Sequence, residues 1–319
     1  MKIALIGPGL MPIPPKSWGA VEILMWNYRN FLIEKGHEVK IFNTRDLLSV
    51  KREIESSDFD VVHLHFDNYL HFFEDMKCKN FFVTSHYGNL PVESRYEPFY
   101  WNIFYSFIQT KHKILALSPE IKKKYEEYGF DRERVFVAHN GVEIEDFNFS
   151  EKAKISDRTI YFGRLERRKG QHLFCHHDGL NLDFVGNHGD LQKLNLSSTN
   201  RYLGAWTKEK IYSDLTLYPN MALISYGEAH PLVCMEALAA GLGVVVSDVA
   251  AANLDRDKKF ITVIPDDKIE DVDYVRREII KNREISVTMR REIREYAKNK
   301  FSWDVVVDNY LNTLKSASK

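Results

Sequence analysis

The chain has little of what marks secreted, membrane-spanning or nucleic-acid-binding proteins. Its 319 residues include only three cysteines, Cys78, Cys175 and Cys234. They are widely spaced and odd in number, which argues against a disulfide framework or a zinc site and for reduced, mostly buried thiols. No charge of one sign prevails, since 44 Lys and Arg stand against 45 Asp and Glu. Nucleic acid is therefore not an expected partner, and any anion site must come from local placement of charge. Nowhere do about 18 apolar residues run together, and the apolar start Met1-Lys2-Ile3-Ala4-Leu5-Ile6 is broken by Gly7-Pro8-Gly9. A cytoplasmic protein is expected, with peripheral membrane contact left open. Internal repeats and low-complexity tracts are also missing.

What is present is an alternation of short β-branched or aromatic runs with longer segments, the pattern of parallel strands joined by helices. In the first half, strands are expected at 2–7, 38–42, 61–65, 81–85, 113–117 and 135–138, and in the second at 159–162, 182–186, 201–204, 221–225, 244–247 and 260–264. Val21, Leu24, Met25, Tyr28, Phe31 and Leu32 recur at helical spacing and Gly36 ends the run, so a helix is expected from Trp18 to Lys35. Ser118-Pro119 reads as an N-cap and first-turn proline of a helix that stops at Gly129. The apolar pattern lapses from Phe147 to Asp157, which places a linker there. The expected division is 1–152, an N-terminal domain, 153–302, a C-terminal domain, and 303–319, a final amphipathic stretch preceded by a polar helix from about Asp271 to Lys300. The fold class is α/β, with two Rossmann-like domains whose strand ends would line a cleft.

Glu228 and Glu236 bracket Ile224-Ser225-Tyr226-Gly227-Glu228-Ala229-His230-Pro231-Leu232-Val233-Cys234-Met235-Glu236, which reads as strand end, tight loop and helix start. Pro231 suits the first helical position and Gly241 the left-handed position past the end, giving a helix of about three turns. Its N-terminus would offer unpaired N–H groups and partial positive charge to an anion. Alone, an E-x7-E pair is most often two solvated surface charges. Its company is Gly163-Arg164-Leu165-Glu166-Arg167-Arg168-Lys169-Gly170, a basic turn between the first strand and first helix of the second half. Arg164 supplies a planar fork and Lys169 a mobile point charge, a pair able to neutralise a diphosphate without metal; a plain basic surface turn is the other reading.

Gly163-Arg164-Leu165, Lys169-Gly170 and the E-x7-E loop together resemble the retaining glycosyltransferases of family 4, which have the GT-B fold. The resemblance covers nearly the whole chain. It implies that Arg164 and Lys169 hold the diphosphate of a nucleotide sugar, that Glu228 contacts the donor sugar, and that Glu236 binds ribose hydroxyls. Backbone groups of Gly163, His230, Pro231, Leu232 and Val233 would complete the donor site. Gly19-Ala20-Val21-Glu22 resembles the family's Gly-Gly-x-Glu loop, with Ala20 in place of the second glycine, so phosphate contact is assigned to Gly19. His86, at the end of the strand Phe81–Ser85, matches a family histidine near the reacting sugar. The catalytic set implied is His86, Glu228, Arg164 and Lys169, with no metal and no cofactor. His139-Asn140-Gly141-Val142-Glu143 resembles the family's Asn-Gly turn at the domain junction, and the final helix would cross back onto the first domain.

The implied activity is retaining transfer of a hexose from a UDP- or GDP-sugar, adenine being equally open, to a hydroxyl of a glycan or glycoconjugate acceptor. The alternatives are a nucleotide-sugar epimerase or hydrolase of the same fold, a non-catalytic nucleotide-sugar binding protein, and, less favoured, an NAD oxidoreductase. Asp58-Phe59-Asp60 imitates a metal-binding Asp-x-Asp but precedes its strand, and Asp255-Arg256-Asp257 reads as surface charge. Gly7-Pro8-Gly9-Leu10-Met11-Pro12 lacks the third glycine of a dinucleotide fingerprint. Cys175-His176-His177 has no second ligand pair at metal spacing. His63 and His65 read as strand-end packing. Tyr96, Phe99, Tyr100, Trp101, Phe104, Tyr105 and Phe107 form either a helix packed on the sheet or a lip for a sugar or lipid acceptor.

Overall fold

In a computed structural model, which describes residues 1–15, 19–78, 80–88, 90 and 97–318, the chain divides into two units. One comprises Met1–Gly141 with Trp303–Lys319, the other Val142–Ser302. In chain order the first holds β1 (Lys2–Ile6), α1 (Ala20–Glu34), β2 (Glu38–Phe42), α2 (Leu47–Glu55), β3 (Val61–Leu64), α3 (Leu70–Phe73), β4 (Phe81–Val83), α4 (Pro98–Gln109), β5 (Lys113–Ala116), α5 (Pro119–Glu127) and β6 (Val135–Val137). The sheet order is β2-β1-β3-β4-β5-β6, all parallel. β1 is flanked on both sides, and Ile3 to Ile6 are fully buried, as near-continuous apolar strands of a two-faced sheet require. α1 buries Leu24, Met25, Tyr28 and Leu32 and closes where His37 N–H reaches Leu32 O at 3.0 Å, around the left-handed Gly36. Its expected start at Trp18 lies outside the described residues. Ser118 caps α5, its Oγ accepting from Ile121 N at 3.1 Å.

The second unit holds β7 (Thr159–Phe162), α6 (Gln171–Phe174), β8 (Leu182–Val185), β9 (Arg201–Tyr202), α7 (Lys208–Asp214), β10 (Asn220–Leu223), α8 (Leu232–Ala239), β11 (Gly243–Ser247), β12 (Ile261–Ile264), α9 (Val272–Thr288) and α10 (Arg290–Phe301). Its sheet is parallel in the order β12-β11-β10-β7-β8-β9. All twelve expected strands form, most of them shorter at the C-terminal end than the sequence suggests.

Three sequence expectations change. The first boundary falls at Gly141–Val142, not at 152/153, because Val142, Ile144 and Phe147 are buried in the second core and the polar stretch after them lies within that unit. Arg294 fixes this segment by donating to Ile144 O (3.1 Å) and Phe147 O (2.9 Å). The polar helix expected over 271–300 is two helices parted at Met289. Ser286 Oγ donates to Asn282 O at 2.7 Å, a back-bond that bends helices, and beyond the break Arg290 buries its guanidinium on Tyr218 O and Thr216 O. α8 spans eight residues rather than three full turns, since Pro231 keeps ψ at 110° and serves as N-cap instead of first helical residue.

α11 (Trp303–Ala317) belongs to the first unit and packs on α1. Trp303 stacks on Phe31 (6.0 Å, 22°) and meets Tyr28 edge-on at 4.9 Å. A Cβ on Gly141 would lie 2.7 Å from the Trp303 ring, so the Asn-Gly turn lets this indole close against the backbone.

Candidate functional site

The basic turn follows β7 and is shaped by three anchors, two buried side chains and one backbone amide. Gln171 is fully buried; its Nε2 donates to Arg164 O (2.8 Å) and its Oε1 accepts from Glu166 N (3.3 Å). Tyr161 OH donates to Lys169 O (2.6 Å) and accepts from Ile224 N (2.9 Å). Tyr226 N donates to Arg168 O at 2.8 Å. Gly170 closes the turn at φ 75°, where a Cβ would fall 2.1 Å from Ile224 O. The turn is thereby fastened to the loop that follows β10, the first half of the E-x7-E segment.

This fastening brings Lys169 Nζ to 2.6 Å from Glu228 Oε1, with the two side chains 13% and 7% exposed. Ser225 Oγ lies 3.0 Å from the same carboxylate oxygen, and Arg168 Nη1 lies 3.5 Å from it while donating to Gly227 O. Arg168 Nη2 is 3.1 Å from Glu166 Oε2, and Arg164 Nη1 is 3.2 Å from Glu166 Oε1. Arg164 is the outlying member, 60% exposed, and pairs with Glu166 rather than with Glu228. Arg168, Glu166, Ser225 and Gln171 were not singled out from sequence. A run of three cations gives no sign of which one faces the carboxylate, and Ser225 and Gln171 carry no charge to mark them.

Gly163 stands at the end of β7 with φ 150° and donates to Val185 O at 2.9 Å. His230 is buried, with its ring 6.2 Å from that of Phe301, and Leu232 and Val233 open α8, where first-turn N–H groups lack intrahelical partners. Glu236 lies within α8, half-buried, and desolvation pushes its carboxyl up to about 7, with Lys208 partly opposing the shift. Cys234 is buried beside the Glu228 and Lys169 charges, and burial pushes its thiol far up, which leaves it unreactive.

The remaining assigned residues lie in the first unit. Gly19 is the N-cap of α1 at φ 128°, and Ile23 N donates to its carbonyl at 2.9 Å. Ala20 is exposed, while Glu22 is buried and accepts from Met11 N at 3.2 Å, tying the preceding loop to the helix. Lys16, Ser17 and Trp18 of that segment are outside the described residues. His86 is half-buried and stacks on His65 at 5.7 Å and 15°, its Nε2 3.5 Å from His65 Nδ1. Desolvation pushes His86 down to about 4, so its imidazole is neutral across the physiological range. His65 in turn lies 3.8 Å, ring to ring, from His63, which sits between Tyr310 OH (3.0 Å to Nδ1) and Thr84 Oγ1 (2.8 Å to Nε2). Thr84 donates to Leu115 O, so it accepts from His63 Nε2–H, and Tyr310 donates to Nδ1.

Other sequence features resolve as architecture. Asp58 and Asp60 pair with the side chain and backbone of Lys2 at the start of β3. Asp255 binds Lys300, and Arg256 binds Asp248 at 2.6 Å. Among the described residues no group of three His, Cys, Asp or Glu could hold a metal ion. α4 buries Ile103, Phe104 and Phe107 and exposes Phe99, Trp101 and Tyr105; Tyr96 is outside the described residues. An open groove of the first unit, between Met11, Trp26, Arg29 and Lys40, contains neither the basic turn nor the acidic pair. No helix among the described residues is long and apolar enough to cross a membrane.

A family model described as Glycosyltransferase Family 4 matches residues 36–146, mostly first-unit sequence that excludes the basic turn and the acidic pair. Among curated proteins none matches the sequence significantly. Solved structures match over nearly the full length. HepE from Anabaena, in complex with UDP-glucose, gives a TM-score of 0.74 at 15% identity, covering 99% of this chain and 100% of that one. Sucrose-phosphate synthase from Thermosynechococcus elongatus gives 0.77 at 15% identity over 99% and 98%. The lipopolysaccharide outer core galactosyltransferase WaaB gives 0.69 at 16% over 99% of both chains. At such identities the likeness establishes the fold. The chain thus has the GT-B fold, and residues 36–146 of it match the family 4 glycosyltransferase model.

Proposed function

We propose that this protein transfers a hexose from a nucleoside diphosphate sugar to a hydroxyl of a glycan or glycoconjugate, with retention of anomeric configuration and without metal. The observation that carries this reading is the buried Lys169–Glu228 pair at 2.6 Å, set between a cation-rich turn and the start of α8. Such a cluster suits a pyrophosphate leaving group: Arg164 and Lys169 neutralise developing charge, and α8 adds the partial positive charge of its first turn. Glu228 would meet the donor sugar and Glu236 the ribose hydroxyls, with Gly163, His230, Pro231, Leu232 and Val233 supplying close backbone contact. In the first unit, His86 would offer the sugar a hydrogen bond from an uncharged ring, and Gly19 would approach the donor phosphates. The bond from the anomeric carbon to the diphosphate breaks as the acceptor oxygen bonds on the same face, and the acceptor proton passes to the departing phosphate oxygen.

HepE was solved with UDP-glucose and with UDP, which makes uridine nucleotides the first donors to test. A thermal-shift panel of UDP, GDP, ADP and their sugars would identify the donor, because a ligand of the native state raises the melting temperature by mass action. Incubation of that donor with sugar acceptors, with and without EDTA, is expected to release nucleoside diphosphate and yield a product of unchanged anomeric configuration by NMR. Donor left intact with every acceptor would overturn the transferase reading, and EDTA sensitivity would overturn its metal independence. A cytoplasmic site of action follows from a nucleotide-sugar donor and is checked by fractionation.

A further inference from the structure

The basic turn contributes a carboxylate that the proposed chemistry does not use. Glu166 lies between Arg164 (3.2 Å) and Arg168 (3.1 Å), and Glu228 between Arg168 (3.5 Å) and Lys169 (2.6 Å). Cations and carboxylates thus alternate through one network, three against two. The two carboxylates are not equivalent. Glu228 is 7% exposed and bonded to Ser225; Glu166 is 19% exposed, belongs to the turn itself, and places one oxygen on each guanidinium.

The shape of the turn does not depend on that side chain. Its backbone is held by Gln171, Tyr161 and the Tyr226 amide, through Arg164 O, Glu166 N, Lys169 O and Arg168 O. What the Glu166 carboxylate does is fill hydrogen-bonding positions on Arg164 and Arg168 that a phosphate would also seek. A carboxylate and a phosphate oxygen compete for the same N–H groups, and like charges at contact distance repel.

We propose that Glu166 is a specificity-determining residue that occupies Arg164 and Arg168 as an internal anion, which a ligand with two linked phosphates displaces far better than one with a single phosphate. This rests on the reading that the basic turn and Glu228 bind a nucleoside diphosphate. A diphosphate can engage both arginines at once and so replace both contacts of the carboxylate, whereas a monophosphate replaces one and is left beside the negative charge. Removing that charge should help both ligands and the monophosphate more.

The test is isothermal titration of the full chain with UDP, GDP and ADP and the matching monophosphates at fixed ionic strength. It compares wild type, Glu166→Gln, Glu166→Asp and Glu295→Gln, the last removing an exposed charge elsewhere in the same unit. Glu166→Gln is expected to bind the diphosphate about tenfold tighter, the order set by losing two partly exposed ion pairs, with a smaller diphosphate-to-monophosphate ratio. Glu166→Asp, too short to span both arginines, should fall between it and wild type, and Glu295→Gln should match wild type. Equal or weaker diphosphate binding by Glu166→Gln, an unchanged ratio, or the same gain in Glu295→Gln would overturn the inference and leave the functional reading standing. A wild type that binds none of the diphosphates would overturn the functional reading and the inference together.

Discussion

Glu228 shows how a nearly buried carboxylate is partnered: a lysine at 2.6 Å, a serine hydroxyl at 3.0 Å and a guanidinium at 3.5 Å converge on one oxygen. Removing one partner leaves the other uncompensated, so Lys169→Met and Glu228→Gln should each destabilise the protein by about 3 kcal/mol, while the double variant should cost less than their sum. Urea unfolding of the four proteins measures that coupling, and strict additivity would contradict the pair. Glu236 makes a prediction in pH. Its carboxyl, held up near 7 by burial against an ordinary value near 4.5, is neutral in the free protein below that pH. Its contribution to stability is therefore full at acid pH and is lost as pH rises through about 7. Acceptance of two ribose hydroxyls favours the ionised form, so donor affinity in wild type should rise with pH through about 7 and then level. Glu236→Gln should show a weaker and flat profile over the same range by titration calorimetry.

At the scale of elements, the position of the basic turn depends on its glycine. Gly170 and Gly129 both have positive φ, at 75° and 93°, yet a Cβ at Gly170 would strike Ile224 O at 2.1 Å while one at Gly129 would meet nothing within 4 Å. Gly129→Ala should cost about 1 kcal/mol, the left-handed penalty alone. Gly170→Ala should cost more and also lower nucleotide affinity by displacing Lys169, which thermal melts with and without ligand separate. This contrast marks where the sequence stops being legible. Strands and their parallel character followed from β-branched runs and their spacing, because a strand buried on both faces leaves a continuous apolar signature, whereas their order in each sheet did not. The acidic loop and basic turn were also readable as motifs. Their pairing was not: Arg164, Arg167 and Arg168 are chemically alike, and only the anchors Gln171 and Tyr161 decide which cation reaches Glu228 and which reaches Glu166. The break at Met289 was hidden for a similar reason, since no proline or glycine interrupts 271–300 and the bend comes from one serine bonding backwards. Pro231 suits either cap or first turn by composition, and its ψ of 110° settles it as the cap.

For the whole molecule, the return of α11 makes the first unit discontinuous in sequence. Trp303, 1% exposed between Tyr28, Phe31 and Gly141, and Tyr310, bonded to His63, close that unit's core. Trp303→Ala should cost about 3–5 kcal/mol, and hydrogen exchange should place the loss in α1 and β3 while β7, β10 and β11 keep their protection. Unchanged exchange in α1 would contradict the packing. The second unit, by contrast, is one uninterrupted stretch, Val142–Ser302. A ribosome making this chain therefore releases the parts of the first unit first, but the segment that completes it last. The later half has all its residues in hand while the earlier half still waits for its tryptophan, so the order of synthesis and the order of maturation are reversed.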